Sequence, residues 1–227
     1  MIIYGKQVCL HALEVHKTSI KTVYIAKKGV LPQKLFDENR DKIKFLEERW
    51  AQSMSKGGNH QGVLLEMEPL KQSDLATLKK ERFILVLDGL TDTGNIGAII
   101  RSAYALGVDA VIATGVKTLN MAAMVRTSSG TLLDLPFVIV PNILDVLNEL
   151  KQVNFTVYGA SMDGEKLEKC EFSEKRVLVL GSEGEGISKK AKSKIDQSVS
   201  IEMKHEFNSL NVSAAAAILI HRMGNVI

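Results

Sequence analysis

Two cysteines stand among the 227 residues, Cys9 and Cys170, and no Cys-x-x-Cys pair occurs. That excludes a disulfide framework and the usual spacing of a structural zinc site, and leaves both as core thiols. Histidine is scattered as well. His205-Glu206 is followed by Phe207-Asn208-Ser209, so the zinc-protease spacing His-Glu-x-x-His is not completed and no metal is expected. No apolar run approaches the roughly 20 residues that cross a bilayer, and the first residues lack the shape of a secretory leader. The expectation is a cytoplasmic protein without a membrane partner. Neither Gly-x-Gly-x-x-Gly nor Gly-Lys-[Ser/Thr] is present, which argues against a nicotinamide-dependent oxidoreductase. Large net charge is lacking too, at +3.

What is present is an ordinary globular composition, 45% hydrophobic and 24% charged. The small positive excess sits in residues 1–70, with 11 Lys and Arg against 8 Asp and Glu, while residues 71–227 balance at 18 against 18. A nucleic-acid-facing module fits that bias, and a solvated surface accounts for it equally well.

Residues 1–68 read as a small α/β domain, with strands at 2–4, 22–26 and 63–67, helices at 8–15 and 32–39, and a Gly-rich loop at 53–62 carrying Lys56 that reads equally as a mobile loop able to reach a partner or as a long hairpin connection with no role. Pro69 and its polar neighbours mark a linker over 69–80. The second domain, 81–227, alternates apolar strands with helices. Its strands fall at 83–87, 110–113, 137–140, 156–158, 177–180 and 199–201, and its helices at 96–106, 122–127, 143–152, 187–195 and 212–223. Strands so apolar are buried on both faces, so an α/β fold with a mainly parallel sheet is predicted, its ligand site beyond the carboxyl ends of the strands.

Three stretches fall at that edge. Asn95-x-Gly97-x-x-x-Arg101 opens a helix on which Gly97 leaves clear the surface that Arg101 covers, so an anionic or polar ligand can approach backbone there. Gly181-Ser182-Glu183-Gly184-Glu185-Gly186 looks like a phosphate turn, but its two carboxylates disfavour a nucleotide phosphate and admit a cationic or phosphate-free ligand. Asn208-Ser209-Leu210-Asn211 leads into Val212-Ser213 and four alanines, with more polar groups than a helix cap at Ser209 or Asn208 requires. Each alone is an ordinary helix or turn; together they converge on one site.

In that order the three stretches resemble the motifs of the SpoU, or TrmH-like, branch of the SPOUT RNA 2′-O-ribose methyltransferases, and the resemblance covers nearly the whole chain. Ile2-Ile3-Tyr4-Gly5 and His60-Gln61-Gly62 are similar to the ribosomal-protein-like substrate-binding domain of members that methylate a guanosine in 23S rRNA. The chain departs from the family at Thr93-Gly94, Glu202 and His205. The resemblance implies a C-terminal trefoil knot that holds S-adenosylmethionine, a homodimer, and methyl transfer to an RNA ribose. It places cofactor contacts at Gly181, Ile201 and Leu210, an active site of Asn95, Arg101, Glu183, Ser209 and Asn211, and RNA contacts at Arg126 and Lys56. An arginine stays protonated, so Arg101 reads as an electrostatic stabiliser rather than a base, with its geometry set by Asn95 and Glu183. Transfer RNA is the alternative substrate, and a noncatalytic RNA-binding assembly factor the alternative function.

Overall fold

The computed structural model describes residues 1–205 and 209–225. Asn208, one of the two cap candidates, lies outside the described residues. The chain divides into two compact units, Met1–Lys71 with Asn120–Leu133, and Gln72–Leu119 with Asp134–Ile227. The segment 120–133, which the boundary read from the sequence assigns to the second domain, therefore groups with the N-terminal residues.

The first unit carries a four-stranded sheet in the order β1-β4-β2-β3, built from β1 (Ile2–Tyr4), β2 (Ile20–Ile25), β3 (Ile43–Phe45) and β4 (Val63–Met67). Its helices are α1 (Lys6–Val15), α2 (Gln33–Glu38), α3 (Glu48–Met54) and, from the inserted segment, α6 (Met121–Thr127). Strand β3 and helix α3 were not anticipated, because β3 spans three residues and places Lys44 and Phe45 in solvent, leaving no apolar run to read. The Gly-rich loop is held rather than mobile. Ser55 and His60 are buried, the Ser55 hydroxyl donates to the Gln52 and Gly58 carbonyls, and a Cβ on Gly58 would fall 2.2 Å from the Tyr4 hydroxyl oxygen.

The second unit is a six-stranded sheet in the order β10-β8-β9-β5-β6-β7, with parallel neighbours throughout. The strands are β5 (Phe83–Asp88), β6 (Ala110–Thr114), β7 (Phe137–Ile139), β8 (Thr156–Lys166), β9 (Arg176–Gly181) and β10 (Gln197–Ser200). Its helices are α4 (Leu75–Leu78), α5 (Thr93–Ala105), α7 (Ile143–Lys151), α8 (Lys189–Lys192) and α9 (Val212–Gly224). Every residue of the central strand β5 is buried, as continuous apolar strands of a parallel sheet require. Ile84 and Val86 pack with Val157, Val177 and Val179 against Ile143, Val146, Leu147 and Leu150 of α7. Fully burying such a side chain contributes roughly 1.5–3 kcal/mol. Helices α5 and α9 pack together, and α9 also meets β9.

Three elements differ from the sequence reading, the first being α4, a short helix capped by Asp74 inside the stretch read as a linker. The helix expected over 187–195 is only α8, since Ser188 caps it and the chain leaves for β10 after Ser193. Strand β8 runs to Lys166, well past Tyr158, because its pairing with β10 jumps from Ser198↔Gly159 to Val199↔Glu165 and loops out residues 160–164. Both cysteines are buried, and burial pushes their thiols up.

Candidate active site

Chain order sets the site. From β5 the chain runs outward to β6 and β7, then returns to build β8, β9 and β10 on the other side, so β5 and β9 meet where the winding reverses. Ligands of open α/β sheets bind outside the carboxyl ends of the strands at such a point. Asp88 and Gly181 end these two strands as a registered pair. Asp88 is buried, accepts the backbone N–H of Ser188 at 2.8 Å and lies 3.4 Å from the Thr114 hydroxyl. It thereby ties the far end of the glycine loop to the ends of β5 and β6. The sequence reading did not single it out, although an Asp closing an all-apolar run was the available signal.

The glycine loop folds back on itself through a bridge between Ser182 and Gly186. A Cβ on Gly181 would lie 2.0 Å from the Gly186 carbonyl carbon and 2.1 Å from the Ile187 nitrogen, so only glycine admits this close approach. The reversal presents Glu183 at the apex side of the loop, exposed.

Helix α5 begins with Asp92 as its cap, the carboxylate accepting the Asn95 N–H at 2.6 Å. Helix α9 begins in the same way with Asn211, whose side-chain oxygen accepts the Ser213 N–H at 2.9 Å. Asn211 caps its helix and still has an amide to spare. That Nδ2 donates to Asn95 Oδ1 and to Glu183 Oε1, both at 3.1 Å, and Asn95 Nδ2 donates to the same Glu183 oxygen at 3.1 Å. One carboxylate oxygen thus receives both amides beside the starts of two helices, where a negative charge is favoured. Asn95, Glu183 and Asn211, widely separated along the chain, form one hydrogen-bonded cluster.

The cluster stands between two cavities. The larger, about 740 Å³, is lined by the glycine loop, by Ser209–Val212 and Ala215, by Lys192, and by residues 160–163 of the looped-out segment. It adjoins an apolar recess of about 160 Å³ that includes Val199, Ile201, Leu210 and Leu219. The smaller cavity on the other side, about 190 Å³, is lined by residues 89–92, Asn95, Ser182, Glu183 and Val212. Glu183 faces both. Gly181, Ile201 and Leu210, together with Ser209, therefore line one composite cavity. The sequence reading missed residues 160–163, because a register jump between β8 and β10 leaves no mark on either strand alone.

Arg101 takes no part in the hydrogen bonds of the cluster. It is exposed on α5 and, among the described residues, has no hydrogen-bond or ion-pair partner. Asn95 and Glu183, expected to orient it, are bonded to Asn211 instead. Lys56 and Arg126 both belong to the first unit, where the Arg126 guanidinium lies 5.4 Å from the centre of the Tyr4 ring.

The composite cavity suits S-adenosylmethionine in size and chemistry. Its combined size lies within the range usual for small-molecule sites. The Gly181 approach leaves backbone rather than side chain along one wall, the recess at Ile201 and Leu210 is apolar, and Glu183 and Glu185 at the rim favour a cation over a phosphate. The residues fit that group.

Comparison with known proteins agrees in extent. Residues 82–221 match the SpoU rRNA Methylase family, and residues 2–73 match the family described as RNA 2′-O ribose methyltransferase substrate binding. The chain is 32% identical over 231 aligned positions to the 23S rRNA (guanosine-2′-O-)-methyltransferase RlmB of Neisseria meningitidis, covering 96% of this chain and 92% of that one. The AdoMet-bound rRNA methyltransferase of Sinorhizobium meliloti superposes with a TM-score of 0.82 at 20% identity, over 98% of this chain and 85% of that chain. The SpoU methyltransferase AviRb of Streptomyces viridochromogenes, in complex with AdoMet, gives 0.79 at 24% identity, over 99% and 89%. At those identities the two structures speak to the fold. With the three motifs gathered at one strand edge and the family match spanning most of the second unit, the chain belongs to the SpoU rRNA methylase family.

Proposed function

We propose that this protein transfers a methyl group from S-adenosylmethionine to a ribose 2′-hydroxyl of RNA, with a guanosine of 23S rRNA as the target. The observation that carries the reading is the pair of cavities that share Glu183, with Asn211 lining one and Asn95 the other, an arrangement for holding two reactants on either side of a single hydrogen-bonded cluster. Full-length similarity to a 23S rRNA enzyme favours ribosomal over transfer RNA.

S-adenosylmethionine, when bound, supplies an electrophilic methyl group on a sulfonium. Gly181 and its loop, with Ile201 and Leu210, hold it largely through backbone and apolar contact. Glu183, fixed by two amides, stands at the wall of that cavity. Arg101, unengaged among the described residues, is available to neutralise the 2′-oxygen as its proton leaves, with an RNA phosphate as the proton's relay. Ser209 adds a hydroxyl at the cavity edge. Arg126 and Lys56 contact RNA. The same reading carries a trefoil knot in the C-terminal unit, a homodimer and a cytoplasmic location; among the described residues, no helix is long and apolar enough to cross a membrane.

The test is transfer of radiolabelled methyl from the cofactor to unmodified 23S rRNA, followed by mapping of the position that resists alkaline cleavage. Label on a single guanosine ribose is expected. Label on transfer RNA alone, or cofactor binding without transfer to any RNA, overturns the reading.

A further inference from the structure

Three aromatic rings among the described residues are exposed, and two of them lie five residues apart in the first unit: Phe45, 63% exposed at the end of edge strand β3, and Trp50, 55% exposed on α3. Neither lines a cavity of the candidate site. Large apolar rings left in water need a reason when they recur so close together. Packing within the unit supplies only part of one, a tilted contact between the Phe45 and Phe36 rings at 6.5 Å.

Their surroundings are basic. The unit as a whole holds 13 Lys and Arg against 8 Asp and Glu. Lys42 and Lys44 precede Phe45, and the Arg49 guanidinium lies 5.3 Å from the centre of the Trp50 ring. Residues 40–50 hold four Lys and Arg against Asp41, Glu47 and Glu48; Glu47 pairs with Arg49 at 2.8 Å and Glu48 lies 3.1 Å from His60 Nε2. Strand β3 pairs only with β2, so one side of it is an open sheet edge. Exposed rings interleaved with cations are what an unpaired nucleic-acid strand requires, since its bases offer π-faces and its phosphates negative charge. A duplex hides those faces and meets a protein through its backbone.

We infer that Phe45 and Trp50 are stacking positions for unpaired bases of the substrate RNA, and that the first unit selects a looped or single-stranded segment rather than a helix. This rests on the methyltransferase reading and narrows its substrate. Phosphates beside the stacked bases fall to Lys42 and Lys44. A protein partner adding a strand to the β3 edge is the competing occupant, and the charge balance of the unit disfavours it.

Trp50 is the only tryptophan in the chain, so its fluorescence reports on this position alone. The experiment titrates the full-length protein with a short fluorescein-labelled single-stranded RNA and with the same strand annealed to its complement, following tryptophan emission and dye anisotropy together. Quenching by the single strand but not the duplex is expected. Trp50→Ala and Phe45→Ala should each weaken single-strand binding about 5- to 150-fold, the range of a lost base stack, while Trp50→Phe recovers most of it. The same two alanine variants should raise KM for 23S rRNA and leave cofactor affinity unchanged. Circular dichroism melting of each variant guards against misfolding, which substitution of exposed rings does not invite.

Anisotropy that reports RNA binding without any change in Trp50 emission overturns this inference and leaves the methyltransferase reading standing. So does unchanged RNA affinity in both alanine variants. Equal quenching by duplex and single strand overturns the selection for unpaired bases. Failure to bind or methylate RNA in any form overturns the underlying reading, and this inference with it.

Discussion

Arg101 and Asn95 share helix α5 yet stand in opposite situations. Asn95 spends both side-chain atoms on Glu183 and Asn211, whereas Arg101 has no partner among the described residues. A side chain with nothing to hold within the chain is easily removed without harm to the fold. Arg101→Ala should therefore leave the melting temperature and cofactor affinity near their original values and reduce methyl transfer about 10²- to 10³-fold, as loss of a charge-stabilising donor does. Calorimetric titration with S-adenosylmethionine and single-turnover transfer to 23S rRNA separate the two effects. Normal turnover by the folded variant removes Arg101 from the chemistry.

The glycine loop makes one cavity wall and a clasp at the end of β8 lies next to the recess residue Ile201, and each fails in its own way. Gly181→Ala forces a methyl group to within 2.0–2.1 Å of the Gly186 and Ile187 backbone, so the reversal cannot keep its present path. Cofactor affinity should fall at least tenfold while the sheet persists; circular dichroism of the variant and calorimetric titration check both halves. The clasp is the ion pair between Lys166 and Glu202, next to Ile201. Hydrogen bonding to Lys166, then to Lys204, holds the Glu202 carboxyl below the usual glutamate range, and Glu202 in turn raises the Lys166 ammonium. A depressed carboxyl contributes stability above its unfolded value, roughly pH 4–5, and loses it as the pH falls through the folded value. Both groups are at the surface, so the effect is small and screened by salt. Melting temperature against pH should show a low-salt advantage of the unaltered chain over Glu202→Gln that holds near neutrality and vanishes in acid. A difference that persists in acid rules out the clasp as its source.

For the whole molecule the division of charge matters more than its sum. The first unit carries the positive excess, so RNA affinity should decline steeply with salt as counterions are released. Lys56→Ala and Arg126→Ala should each reduce the slope of log affinity against log salt by about one, the mark of a phosphate contact. Unchanged slopes assign these cations elsewhere. Sedimentation velocity on the unaltered chain should give about twice the 24.9 kDa chain mass if the proposed homodimer forms, and a boundary at the monomer mass rejects it.

Much of this architecture was legible from residue pattern. Continuous apolar runs at 83–87 and 177–180 demanded a sheet buried on both faces, and the turn residues that follow them marked the edge where a ligand binds. That information is local, because burial and turn formation depend on neighbours along the chain. Other features depended on distant partners. The looping-out of 160–164 follows from a register jump against β10, the grouping of 120–133 with the first unit from packing against β1, and the joining of Asn95, Glu183 and Asn211 from the strand order that brings three loops to one edge. Hydrophobic period and turn chemistry are written residue by residue. Which amide meets which carboxylate is settled only when the sheet has closed and two helix starts lie side by side.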